Sequence, residues 1–222
     1  YSTRIIGDRA YIVTFLTTDP VYVVDLADLN ILGELEIPGY SSYLHPISDD
    51  LLLGIGKSAI VENNMAFYQG LKIQLFDISN PASPVSTSEF EVGYRGTDSA
   101  LSYDPHAFSY LRNPDTGVDR FTIPIDVHGT ELDPTATAST FYPYTHTGLY
   151  LFELDTNEAS IKPKGAVTHQ LETCTVAGDR GFIADNAVHF FSKGQVLSAD
   201  WNSPDQVSSL SLFTNEGYCY FF

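Results

Sequence analysis

Short apolar runs, alternating or continuous, recur along the whole chain, and each is closed by Gly, Pro, Asn or Asp. No stretch holds apolar residues at i, i+3, i+4 and i+7 through three turns, so the pattern predicts strands and turns and leaves no place for a long helix. One motif, a turn followed by a strand, repeats: Gly7-Asp8-Arg9-Ala10-Tyr11-Ile12-Val13 returns as Gly178-Asp179-Arg180-Gly181-Phe182-Ile183-Ala184, and 49–55 and 119–125 share its character. A second motif is an apolar strand ending in an acid and a turn, closing at Asp25, Asp77, Glu153 and Asp200. Such an acid accepts hydrogen bonds from turn N–H groups, which explains it without any function. An inner strand is expected before each unit, over 2–6, 42–47, 100–110 and 173–177, and an outer strand after it, over 32–37, 85–92, 161–168 and 207–212.

Four strands, four times over, with a period of about 45 to 60 residues, read as propeller blades. The expectation is an all-β, single-domain β-propeller, or a portion of one, with antiparallel four-stranded blades at roughly 1–39, 40–93, 94–169 and 170–222. A β-sandwich is the rival, and the repeated Gly-Asp-Arg and acid-closed segments favour the propeller. The stretch between second and third strands is short in the first unit (Asp8 to Asp25) and longer in the second and third (Asp50 to Asp77, Asp119 to Glu153). Those two units therefore carry insertions, at 57–70 and 126–147. In a propeller both emerge on one face, where they make a binding rim or tolerated surface loops.

Several segments resemble a known family. They are 6–15 with 18–26, 32–46, Gly54-Ile55-Gly56-Lys57, 70–79 and Tyr103-Asp104-Pro105-His106-Ala107-Phe108. The likeness is to bacterial and archaeal predicted secreted proteins with a C-terminal β-propeller, distantly related to WD40 propellers. It covers most of 1–185, is most specific over 1–110 and fades after Ala187. The resemblance implies the fold, export, and a position in the C-terminal part of a longer protein, but supplies no established activity. Four blades either close as a small propeller or leave two open edges, which would pair in a homodimer. The aromatic tail at 218–222 is expected to pack on the core or complete an edge.

Charge narrows the partners. Asp and Glu number 28 against 11 Lys and Arg, a net charge of −17, which disfavours nucleic acid, because that affinity comes from cations neutralising phosphates. No apolar run approaches the ~18 residues of a spanning helix, so no transmembrane segment is expected. The acidic balance and the family resemblance fit a secreted, periplasmic or cell-surface protein. Two cysteines, Cys174 and Cys219, permit one disulfide in an exported protein, with two buried thiols the equal alternative. The start at Tyr1, without a basic-then-apolar leader, is read as a processed or truncated end.

Candidate chemistry is sparse. Gly-x-Ser-x-Gly, a phosphate-binding loop and His-Glu-x-x-His are all absent. Tyr43 and His45 on one expected inner strand, and Asp104 and His106 on the next, are candidates for a channel site that binds a metal or moves a proton. The structural alternative is hydrogen bonding between blades. Asp98, Asp104 and His106 are the metal candidates, and Asp98, Asp104, Asp126, Glu131 and Asp133 offer oxygen ligands suited to calcium. His128 and His146 flank the second insertion. Phe67 and Tyr68 in one insertion, with Phe141, Tyr142 and Tyr144 in the other, are candidates for an aromatic platform. The leading expectation is a non-enzymatic module that binds a protein or glycan on the insertion face. The alternatives are a metal-dependent hydrolase or lyase using His45, Asp104 and His106, and a structural module of a cell-surface assembly.

Overall fold

The computed structural model describes residues 2–14, 20–35, 39–168 and 178–212. The first sheet contains β1 (Ser2–Ile6), β2 (Arg9–Val13), β3 (Val21–Asp25) and β4 (Ile31–Leu35), and the second β5 (Tyr40–Pro46), β6 (Leu51–Glu62), β7 (Met65–Asp77) and β8 (Val85–Val92). The third contains β9 (Ser109–Leu111), β10 (Val118–His128), β11 (Tyr144–Asp155) and β12 (Ser160–Thr168), and the fourth β13 (Arg180–Ala184), β14 (Ala187–Ser192), β15 (Gln195–Asp200) and β16 (Ser203–Ser211). Each strand lies beside its sequence neighbour, so every sheet is the four-stranded antiparallel meander expected of a propeller blade. Among the described residues no helix is long and apolar enough to cross a membrane.

The chain forms two compact units. Unit one holds the first two sheets and the loop before β11, His128–Pro143. Its core joins Tyr11, Val13, Val21 and Val23 to Leu44, Leu52, Phe76 and Ile78. Val21 and Val23 are buried while Tyr22 and Val24 are not, the period of two that pleating imposes. Each fully buried aliphatic side chain contributes about 1.5–3 kcal/mol. Unit two holds the fourth sheet and most of the third. There Leu149, Leu151 and Val167 pack with Val188, Phe190, Leu197, Ala199 and Trp201. Fully buried Trp201 donates its indole N–H to Glu153 Oε1 at 3.0 Å and carries the Arg120 guanidinium 4.9 Å above its ring.

The acids that close the third strands behave as their sequence suggests. Asp25 accepts from the Ala27 N–H at 2.7 Å, Asp77 from Ser79 at 2.9 Å and Asp200 from Asn202 at 2.8 Å. Glu153 departs from the pattern, since its carboxylate serves Trp201 and Lys164 instead.

Three expectations are corrected. Residues 100–110 are not one strand: 3-10 turns Ala100–Ser102 and Pro105–Ala107 precede the three-residue β9. Ser99 caps the first turn through the Leu101 N–H, and Asp104 caps the second through His106 N–H, with Pro105 opening it. Proline is at home there because it needs no N–H partner. The two Gly-Asp-Arg copies also differ in position. Arg9–Val13 lies between β1 and β3, whereas Arg180–Ala184 is the end strand of its sheet among the described residues. A turn-plus-strand is a local unit and does not encode its place in a sheet. Finally, the 57–70 insertion is no loop. It prolongs β6 and β7 as a hairpin, closed by Asn63 and Asn64 at φ of 50° and 64°, the left-handed pair that a type I′ turn requires. The expected strand at 173–177, Cys174, Cys219 and the tail at 218–222 lie outside the described residues.

Two glycines separate packing from backbone conformation. A Cβ on Gly56 would lie 1.8 Å from the Tyr40 carbonyl oxygen, whereas one on Gly7, at φ +59°, would meet nothing within 4 Å. Gly56→Ala is therefore expected to cost roughly 2–4 kcal/mol and Gly7→Ala about 1 kcal/mol, read as shifts of the urea midpoint at constant slope.

Candidate functional site

In unit one, β5 stops at Tyr40↔Lys57 and β8 at Leu71↔Val92. Beyond them β6 and β7 run on as a two-stranded ribbon, paired Ala59↔Tyr68, Ile60↔Phe67, Val61↔Ala66 and Glu62↔Met65. An isolated ribbon of this length is marginal in water, and side chains brace this one. Arg95 Nη1 donates to the Tyr68 carbonyl at 3.1 Å. Its guanidinium lies 5.7 Å from the Phe67 ring centre and 4.3 Å from that of Phe141, within cation–π range of both. Gln69 Nε2 donates to the carbonyls of Phe67 and Ala138, each at 2.9 Å, and Tyr40 meets Tyr68 edge-on at 4.9 Å.

The loop after β10 is tied to the same place. Tyr142 stacks on Tyr94 at 4.5 Å, and its backbone accepts from His128 Nδ1 at 2.8 Å and donates to the Arg95 carbonyl at 3.0 Å. Gly129 is at φ +64°, and a Cβ there would lie 2.5 Å from the Tyr142 ring, so only glycine lets the loop fold back. The structure thus gathers Phe67, Tyr68, Phe141 and Tyr142 around Arg95. Tyr144 belongs to unit two, where its hydroxyl meets Thr147 Oγ1 at 2.8 Å. Sequence reasoning missed Arg95 and Gln69. The one available signal was a cation and an aromatic held between glycines, Gly93-Tyr94-Arg95-Gly96.

Unit two holds a polar network. Asp104 and His106 do meet, but on a 3-10 turn: Asp104 Oδ1 accepts from the His106 N–H at 2.9 Å and lies 3.0 Å from its Nδ1, while Oδ2 pairs with Arg180. The His106 N–H, aided by Arg180, holds the Asp104 carboxyl below the usual range. Asp98 and Asp126 exchange backbone hydrogen bonds at 3.0 and 2.8 Å. Asp98 also accepts from Ser102 Oγ at 2.9 Å, and Asp126 from the Thr147 hydroxyl. Buried Asp179 is pushed up to about 6, mainly by desolvation, with Asp126 adding to the shift and Ser192, Lys193 and Arg180 opposing it. Burial pulls the Lys193 ammonium down against the attraction of Asp179 and Asp126, and its Nζ is buried with no hydrogen-bond partner among the described residues.

The remaining candidates are divided between the two units. His45 lies in unit one, 3.3 Å from the Tyr43 hydroxyl through Nδ1, and burial, with Arg4, lowers its pKa. His146 Nε2 is 2.9 Å from the Tyr150 hydroxyl. Of the five acids read as calcium ligands, Asp98, Asp104 and Asp126 belong to unit two and Glu131 and Asp133 to unit one. Among the described residues no three His, Cys, Asp or Glu side chains are grouped to hold a metal ion.

Two variants probe these environments. The folded Asp179 pKa of about 6 exceeds the unfolded value of about 3.9. Its contribution is therefore full below about pH 4 and is lost as pH rises through 6. Asp179→Asn should gain little over the parent chain at pH 4 and roughly 2–3 kcal/mol above pH 6, measured by denaturant titration across that window. Arg95→Lys keeps the charge but loses the planar stack. It should cost about 1 kcal/mol and speed amide exchange over 129–143.

Comparison with known proteins bears on the fold. An uncharacterised protein of Methanocaldococcus jannaschii is 41% identical over 111 residues, 49% of this chain and 16% of that protein. One of Archaeoglobus fulgidus is 43% identical over 93 residues, 40% of this chain and 14% of that protein. The matched segments thus span less than a fifth of each relative. A solved structure of the cobalt-substituted Synechocystis enzyme ACO aligns at a TM-score of 0.43 and 10% identity, covering 91% of this chain and 46% of that one; a likeness at that level carries no chemistry across. The family model described as the beta propeller domain matches residues 1–203, and with four meander sheets in the structure the chain belongs to that family.

Proposed function

We propose that the chain is a non-enzymatic binding module whose contact surface is the ribbon at 59–68 together with the loop at 129–143, and that its partner is a protein. One observation carries this reading. Ile60 and Met65, 45% and 56% exposed, stand on a ribbon that outruns its sheet, beside Phe141 at 69%. Apolar side chains gathered on a braced, projecting element are a feature of interaction surfaces. The Arg95 brace means that little ordering remains to be done on binding, so more of the contact energy appears as affinity. The exposed tip also favours protein over glycan, since Ile60, Val61 and Met65 offer no side-chain hydrogen bonds to sugar hydroxyls. An extracytoplasmic setting is part of the reading, supported by 28 acidic residues against 11 basic ones.

A photo-crosslinking amino acid at position 65, used in an extract of the cells that make the protein, should give one discrete adduct. The same probe at Leu210, which is also exposed but lies in unit two, should give none. Equal labelling from both positions, or none from position 65, would sink the proposal.

A further inference from the structure

We propose that the ribbon takes its partner by strand addition, with a Lys- or Arg-bearing extended segment pairing along the β6 edge at Ala59–Glu62. This rests on the ribbon being the binding surface and names the chemistry of what it binds.

The hydrogen-bond phase of the hairpin identifies the edge. A two-residue turn is closed by a pair that exchanges hydrogen bonds, and such pairs alternate with pairs that do not. Glu62 and Met65 close this turn, so Ile60 and Phe67 form the next bonded pair. The N–H and C=O groups of Ala59, Val61, Ala66 and Tyr68 therefore point away from the hairpin. On the β7 side the Tyr68 carbonyl is taken by Arg95. On the β6 side, β5 has ended at Tyr40↔Lys57, and the register gives Ala59 and Val61 no second strand among the described residues.

Natural edges are blunted by proline, an inward lysine or a bulge. The run Ala59-Ile60-Val61-Glu62 has neither proline nor lysine. The bulge between Lys57 and Ala59 falls where pairing to β5 stops, so it separates the open edge from the closed one. β-Branched Ile60 and Val61 favour the extended backbone that an added strand needs.

Charge selects the occupant. Glu62 is exposed on β6 itself, and Glu91, Glu131 and Asp133 are exposed on β8 and on the loop that adjoins β7. The nearby cations are engaged internally: Lys57 donates to the Thr97 carbonyl, and Arg95 lies between its rings. A second copy would bring another net charge of −17 to an edge that already carries Glu62 and be repelled, whereas a basic segment gains an ion pair as it adds hydrogen bonds.

The probe is a ten-residue peptide alternating Lys and Val, compared with one alternating Glu and Val, titrated into the full chain and followed by amide NMR and calorimetry. The Lys peptide should bind, shift the Ala59 and Val61 amides most, and weaken at least tenfold between 50 and 500 mM salt. Val61→Pro removes an outward donor without touching the bonds to β7, and should weaken binding about tenfold while Val61→Thr retains it. In the parent chain the amide shifts report the edge independently of how the proline variant folds. Equal binding of the Glu peptide, shifts centred elsewhere, or a folded Val61→Pro chain that binds normally would overturn strand addition. If neither peptide binds while the crosslinker at position 65 still yields its adduct, strand addition fails and the binding surface stands. If the adduct is absent too, both fail.

Discussion

The register of the β6–β7 hairpin is the constraint on which unit one depends. The pairing Leu52↔Phe76 places both side chains in the core, and beyond the bulge at Lys57/Ala59 the same two strands carry Ile60 and Met65 out into water. Side chains alternate between faces, so a slip of one residue would turn Leu52 and Phe76 away from Tyr11 and Val23 and reverse the faces of the ribbon. Asn63 and Asn64, both in the left-handed region, set that register at the tip. The bulge beside Ser58 is where, among the described residues, the four-stranded sheet gives way to a two-stranded ribbon. Core and projecting tip are thus two ends of one element, and the same pair of strands positions both.

Unit two is held by a different balance. Phe190 and Trp201 supply apolar burial, while polar groups fill the space around Asp126 and Asp179. Asp179 is buried, and its preferred form near neutrality is set by desolvation competing with Lys193 and Arg180. The buried Asp179 carboxyl has its own donor in the Ser192 side chain, and Thr147 serves the neighbouring Asp126. The same arrangement accounts for the Asp104–His106 pair. Arg180 anchors the acid, the 3-10 turn fixes the histidine beside it, and the imidazole remains exposed, so the pair needs no metal to explain its geometry.

Local order was legible in the sequence. The apolar runs gave most strands, though none was assigned at Ala187–Ser192, which is β14, and the acids Asp25, Asp77 and Asp200 announced the turns that they cap. Of the aromatic residues in the two insertions, Phe67, Tyr68, Phe141 and Tyr142 lie around Arg95. What was hidden is mostly tertiary. Nothing local tells the strand after Gly178 from the strand after Gly7, because place in a sheet is decided by neighbours. Arg95 becomes a brace only when Phe67 and Phe141, distant in sequence, arrive on either side of it. Two misses were readable locally. Ser99 and Asp104-Pro105 are caps, and Asn63-Asn64 between apolar runs is a hairpin turn, but each was outweighed by the stronger strand and loop signals around it.

The projection of the ribbon beyond its sheet has a consequence for how such a module diversifies. Gly54 and Gly56 cannot change without moving Phe76 or the Tyr40 backbone, which ties the lower hairpin to the fold. Ile60, Val61, Glu62 and Met65 face water instead, so mutations there are nearly invisible to folding. Selection can therefore rewrite the tip in small, independent steps while the blades beneath stay fixed. Homologues with matching cores and unrelated tips are the expected product, and the tip sequence in such a lineage would drift far faster than the architecture.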